Sequence, residues 1–115
     1  MSITMNEWMI EYYSDKVQQE ILSLPAGIQA RYIQYTRRML VFGPNLGRPH
    51  SRAMGDGLFE LRLKAQEGIG RVFYCTLIGS KIVMLHTFVK KTQKTPVIEI
   101  ETARRRMAEV KARKV

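Results

Sequence analysis

Cysteine is nearly absent: Cys75 stands alone inside an apolar run, so no disulfide framework can hold this chain together. Long hydrophobic runs are missing too. Charged or polar residues interrupt every apolar stretch well short of a bilayer span. The opening residues, Met1 to Glu7, show no basic segment followed by an apolar one. No secretory leader is expected, and the chain reads as cytoplasmic, with no membrane partner. Histidines, cysteines and carboxylates do not cluster at ligand spacing, so neither a metal site nor a cofactor is expected. No glycine-rich phosphate loop follows a strand, because Glu67-Gly68-Ile69-Gly70 reads as a turn. Repeats and linkers are also lacking, so residues 1–115 are read as one domain.

Acid is the remaining shortage. Asp and Glu number 10 against 19 Lys and Arg, for a net charge of +9. Such a field draws polyanions: nucleic acid, a ribosome, an anionic surface or an acidic protein. Charge alone does not choose among them, so the positions of the cations carry the argument.

Trp8 to Tyr13 is short, aromatic and bounded by Ser14-Asp15, which predicts a strand. Ser14 or Asp15 can cap a helix, and Val17, Ile21 and Leu24 recur at helical spacing behind it. Pro25-Ala26-Gly27 breaks that pattern. Ile28, Tyr32, Tyr35 and Met39 then mark a second helix, with Arg31, Arg37 and Arg38 off its stripe and Gly43-Pro44 at its end. Two short helices joined in this way form a helical hairpin. Residues 43–57 read as a basic loop carrying Arg48, His50 and Arg52.

Three strands follow, at 58–64, 71–77 and 81–90, with links short enough for an antiparallel meander. In the first, Phe59, Leu61 and Leu63 alternate with Glu60, Arg62 and Lys64, so one face is expected in the core and a charged face outside. Thr95 as cap and Pro96 at the first position open a final helix with the stripe Ile100, Ala103, Met107 and Val110. Its far end is basic, which the helix dipole favours. The fold class is α+β: a small antiparallel sheet with an N-terminal helical hairpin and a C-terminal helix, the helices on one face.

The charged face of the sheet is where chemistry is expected. Arg62, Lys64, Arg71, Lys90, Lys91 and Lys94 fall on adjacent strands or their ends, with Glu60 among them. A phosphodiester fits such a surface. RNA cleavage by its own 2′-hydroxyl needs positive groups to hold the charge that builds on the phosphoryl oxygens, and Arg and Lys do this without a metal. Tyr74 is a candidate platform for a base. Phe88 reads as core, Cys75 as a buried small residue, and His86, inside an apolar strand, as structural. His50 has better surroundings for chemistry but no visible partner.

Gly57-Leu58-Phe59-Glu60-Leu61-Arg62, then Arg71-Val72-Phe73-Tyr74, then His86 through Pro96 with its Phe88-Val89-Lys90-Lys91-Thr92-Gln93-Lys94 core, resemble the phage-derived HigB-like branch of the RelE/ParE toxin superfamily. The likeness covers most of the chain. It implies a compact RelE-like domain and a type II toxin: a metal-independent endoribonuclease that cuts mRNA on the ribosome. It also implies a cognate helix-turn-helix antitoxin, and operator DNA bound by the toxin–antitoxin complex. By the same resemblance Arg62, Arg71, Lys90 and Lys91 are the catalytic cations, while Glu60, Lys64, Tyr74 and Lys94 contact RNA. Some relatives place a histidine or a C-terminal tyrosine near the phosphate, and this sequence has no tyrosine after Tyr74. Lys90 or Lys91 is then the expected proton acceptor. The same fold also implies two other activities: a ParE-like gyrase poison, or a phage accessory protein that binds nucleic acid without cutting it.

Overall fold

Ser14 turns the chain from its first strand into its first helix. Its backbone is extended and its Oγ accepts from the Val17 N–H at 3.2 Å, which satisfies one of the donors a helix start leaves open. In the computed structural model, which describes residues 7–90 and 94–113, this junction separates β1 (Met9–Tyr12) from α1 (Asp15–Leu22). Pro25 then caps α2 (Ala26–Phe42), its carbonyl accepting from the Gln29 N–H at 2.8 Å. The stripe of α2 buries Ile28, Tyr32, Tyr35 and Met39 as the spacing predicts, and Thr36 with them. The Thr36 hydroxyl is satisfied within the helix, donating to the Tyr32 carbonyl.

The remaining elements are β2 (Ser51–Gly55), β3 (Leu58–Ala65), β4 (Gly68–Leu77), β5 (Lys81–Lys90) and α3 (Val97–Arg113). The five strands lie in the order β1-β5-β4-β3-β2, with β2 to β5 an antiparallel meander as expected. Two features go beyond that expectation. β1 runs parallel to β5, so the sheet is mixed. Residues 51–55, expected to be loop, form β2, an edge strand paired with β3. They show no apolar alternation because the ladder to β3 holds them. The turn at Asp56-Gly57 has positive φ at both residues, which is the geometry a two-residue hairpin requires.

Helices cover both faces of the sheet, not one. On one side α1 and α2 pack Val17, Ile21, Ile28 and Met39 against Leu61, Leu63, Val72 and Met84. The approach is close: a Cβ on Gly70 of β4 would lie 2.3 Å from Ile28 Cγ2. On the other side α3 packs Ala103, Met107 and Val110 against Leu58, Phe73, Cys75, Val83 and Leu85. The uninterrupted apolar runs 72–75 and 82–85 reflect this, since strands buried on both faces lose their alternation.

The start of α3 also differs in detail. Pro96 lies just outside the helix, its carbonyl accepting from the Glu99 N–H at 3.1 Å. The Thr95 hydroxyl does not cap; it donates to Glu60 Oε2 at 2.6 Å. Among the described residues, no helix is long and apolar enough to cross a membrane.

Candidate functional site

Strand register gathers three arginines around one carboxylate. Arg52 of β2 is paired with Glu60 of β3, and Arg62, two residues on, is paired with Arg71 of β4. Directly opposite residues and residues two apart share a sheet face. Glu60 Oε1 accepts from Arg52 Nε at 3.0 Å and from Arg71 Nη1 at 3.2 Å. With Thr95 on its other oxygen, the Glu60 side chain is fully enclosed, at 0% exposure. Burial pushes the Arg71 guanidinium down. Glu60 pulls it back up, and Arg62 and Arg52 push it down again. Glu60 thus holds Arg52 and Arg71, and Arg62 stands close enough to act on the Arg71 charge.

Arg62 also lines a cleft of about 590 Å³. Its walls are Arg31, Gln34, Tyr35 and Arg38 from α2, Pro49 and His50 from the loop before β2, and Arg62 and Lys64 from β3. A smaller hollow of about 150 Å³, lined by Arg48, Pro49, Arg52 and Arg62, adjoins it. Pro49 and Arg62 belong to both, and among the described residues no carboxylate lines either. The α2 wall has a simple local origin. Residues 31, 34, 35 and 38 follow the i, i+3, i+4, i+7 spacing that puts side chains on one helix face. The loop wall is fixed by its backbone: the His50 N–H donates to the Gly47 carbonyl at 3.1 Å, and the His50 carbonyl accepts from the Arg62 N–H at 2.8 Å. The His50 ring lies against Tyr35, with centroids 4.6 Å apart.

The residues expected to form the site divide into three groups. Arg62 and Lys64 line the cleft. Arg71 and Glu60 do not: both are buried behind it, so Glu60 offers no surface to RNA. The charged alternation of β3 is real, but its first member lies beneath Thr95. Tyr74 is also corrected. It is fully buried, stacked on Phe59, and its hydroxyl donates to the Pro44 carbonyl at 2.6 Å. It cannot carry a base; it ties the loop that leads to the cleft. Burial pushes its phenol up to about 12.

Lys90 is partly buried in the cross-strand row Lys64–Ile69–Lys90, two strands from Lys64, and lines neither cleft. Lys94 is exposed just before α3, and Lys91 lies outside the described residues. Sequence reasoning left Gln34, Tyr35 and the α2 arginines out of the site, although their helical spacing was a usable signal.

Two side chains expected to be inert are so. Cys75 is buried, and burial pushes its thiol up, away from the reactive thiolate. His86 has both ring nitrogens engaged: Nε2 is 2.9 Å from Glu99 Oε1, and Nδ1 is 3.4 Å from Arg106 Nη1. The cations of α3 are mostly structural as well. Arg104 donates to the carbonyls of Met54 and Gly55, and Arg106 donates to that of Leu85.

Compared with known proteins, residues 19–108 match the family model described as phage-derived protein Gp49-like (DUF891). No curated protein matches the chain.

Proposed function

The chain belongs to the phage-derived Gp49-like family, a toxin-like family related to the RelE/ParE toxins, and from that premise we propose that it is a type II toxin that cuts messenger RNA on the ribosome. One observation carries this reading: a cleft walled by Arg31, Arg38, Arg62 and Lys64, with no carboxylate in its lining among the described residues. RNA supplies the matching charge. When the ribose 2′-hydroxyl attacks its own phosphate, negative charge builds on the phosphoryl oxygens, and fixed cations around them lower the barrier. Arg62 stands between the two hollows and is the natural phosphate clamp, since its guanidinium offers a planar fork of donors. Arg52 and Lys64 flank it.

Arg71 and Glu60 act one layer back. Glu60 accepts from Arg52 and Arg71, so this buried pair sets where the outer guanidinium groups sit. Lys90, in the strand row, and Lys94, just before α3, extend the positive surface and hold the flanking RNA. In this reading a helix-turn-helix antitoxin silences the enzyme, and the complex of the two binds operator DNA.

The test is induction of the wild-type chain in growing bacteria, following protein and DNA synthesis by pulse labelling. Protein synthesis should stop first, with mRNA fragments accumulating. DNA damage with translation intact would move the assignment to the gyrase-poison class, and would reassign the cleft cations to partner recognition.

A further inference from the structure

Cleavage through the 2′-hydroxyl needs a group that accepts its proton, and the cleft narrows the choice. Arginine does not deprotonate in proteins, and an amide such as Gln34 is no base. Lysine and tyrosine side chains ordinarily titrate near pH 10, whereas imidazole titrates near neutrality. Two histidines exist in the chain. His86 lies under α3, and both its nitrogens are engaged, by Glu99 and Arg106. His50 lines the cleft.

Resting on the nuclease reading above, we infer that His50 is the general base of the cleavage reaction. Its place is fixed from three directions. Its carbonyl accepts from the Arg62 N–H at 2.8 Å, so the proposed base and the proposed phosphate clamp are backbone neighbours. Its own N–H is held by the Gly47 carbonyl, and its ring rests against Tyr35. A base held in this way pays little entropy on reaching the reacting atom. The role leaves Lys90, which lies two strands away from Lys64 in the cross-strand row.

The step balances. The imidazole takes the 2′-hydroxyl proton as O2′ bonds to phosphorus. The P–O5′ bond breaks, and the 5′-oxygen leaves with a proton drawn from solvent. The products are a 2′,3′-cyclic phosphate and a 5′-hydroxyl, and the imidazolium returns its proton to water. Among the described residues, the charged and titratable groups that share the cleft with His50 are Tyr35, against its ring, with Arg31 and Arg38 from α2 and Arg62 and Lys64 from β3.

The experiment is single-turnover cutting of ribosome-bound mRNA in a purified translation system, over a series of pH values. The wild-type rate should depend on pH, as a step that needs a free base does. His50→Gln should lose about 100-fold or more in rate, the usual contribution of a positioned base, with its pH dependence flattened and ribosome binding retained. In His50→Ala, added imidazole should restore part of the rate, which a merely structural histidine would not allow. If His50→Gln cuts at the wild-type rate with the wild-type pH profile, the inference fails and the nuclease reading stands. If the folded wild type does not cut, both fail.

Discussion

The second and third helices both carry several arginines, and the fold uses them in opposite ways. On α3, Arg104 and Arg106 donate to backbone carbonyls of β2 and β5, while Arg106 and Arg113 lie over the Tyr13 ring at 4.9 and 5.1 Å. Glu109 meets Tyr13 and Arg113 in the same seam. There the cations fasten a helix to a sheet. On α2, Arg31 and Arg38 stand with Arg62 and Lys64 around a cleft whose described lining holds no carboxylate, Arg31 donating to the Lys64 carbonyl and to Gln34 Oε1. The difference teaches that a count of basic residues does not locate a site. Cations that fasten a helix to a strand are architecture, and cations from a helix and a strand that share the wall of a hollow are a place for a ligand.

Glu60 belongs to both regions. It is buried architecture, yet it holds Arg52, which lines the smaller hollow. Removing one partner of a buried ion pair leaves the others uncompensated, and Glu60→Ala should destabilise the fold by about 3–5 kcal/mol. Urea denaturation measures this directly. A loss below about 1 kcal/mol, the worth of a surface pair, would show that the three arginines do not depend on it.

A smaller effect sharpens the account of Tyr74 as a strut. Its phenol ordinarily ionises near 10 and is pushed up to about 12 by burial. The folded state therefore keeps a proton that the unfolded state loses. That contribution is fully present below pH 10 and is lost as pH rises toward 12, by about 2–3 kcal/mol at roughly 1.4 kcal/mol per pH unit. Tyr32, also pushed up by burial, adds to the same alkaline loss. Tyr74→Phe should flatten the wild-type decline over this range in denaturation curves. An unchanged slope would mean that the Tyr74 hydroxyl is not enclosed in solution.

The smallest effects separate the two helices themselves. Arg106→Ala should cost about 1–2 kcal/mol of stability, from one hydrogen bond and one cation–π contact, and leave the affinity for RNA unchanged. Arg38→Ala should stay within about 0.5 kcal/mol of wild type in stability, and lower the slope of log affinity against log salt by about 1, as loss of one phosphate contact does. Parallel melts and salt titrations would show whether the two variants divide in this way or behave alike.

Much of this was legible in the residues. The stripe Ile28, Tyr32, Tyr35, Met39 is the buried face of α2, and β5 occupies the span its pattern suggests. Arg62 and Lys64 stood out by alternation, and they line the cleft. The rest depended on distant pairing. β2 shows no hydrophobic alternation because it is an edge strand, although Asp56-Gly57 was a readable turn signal. Nothing local says that Thr95, 35 residues away, will cover Glu60. Nor does the sequence reveal that Tyr74 faces α2; its neighbours Phe73 and Cys75 face α3. The consecutive apolar run was the available warning that both faces are covered.

Cutting of mRNA on the ribosome by the cleft around Arg62 is the activity proposed for this chain. Primer extension on an mRNA in a purified translation system, with wild type and Arg62→Ala, tests it most directly. Cuts should require ribosomes and fall about 100-fold or more in the variant, the usual cost of removing one group that stabilises transition-state charge. Folded wild-type protein that makes no cuts, or an Arg62→Ala variant that cuts as well as wild type, would contradict it.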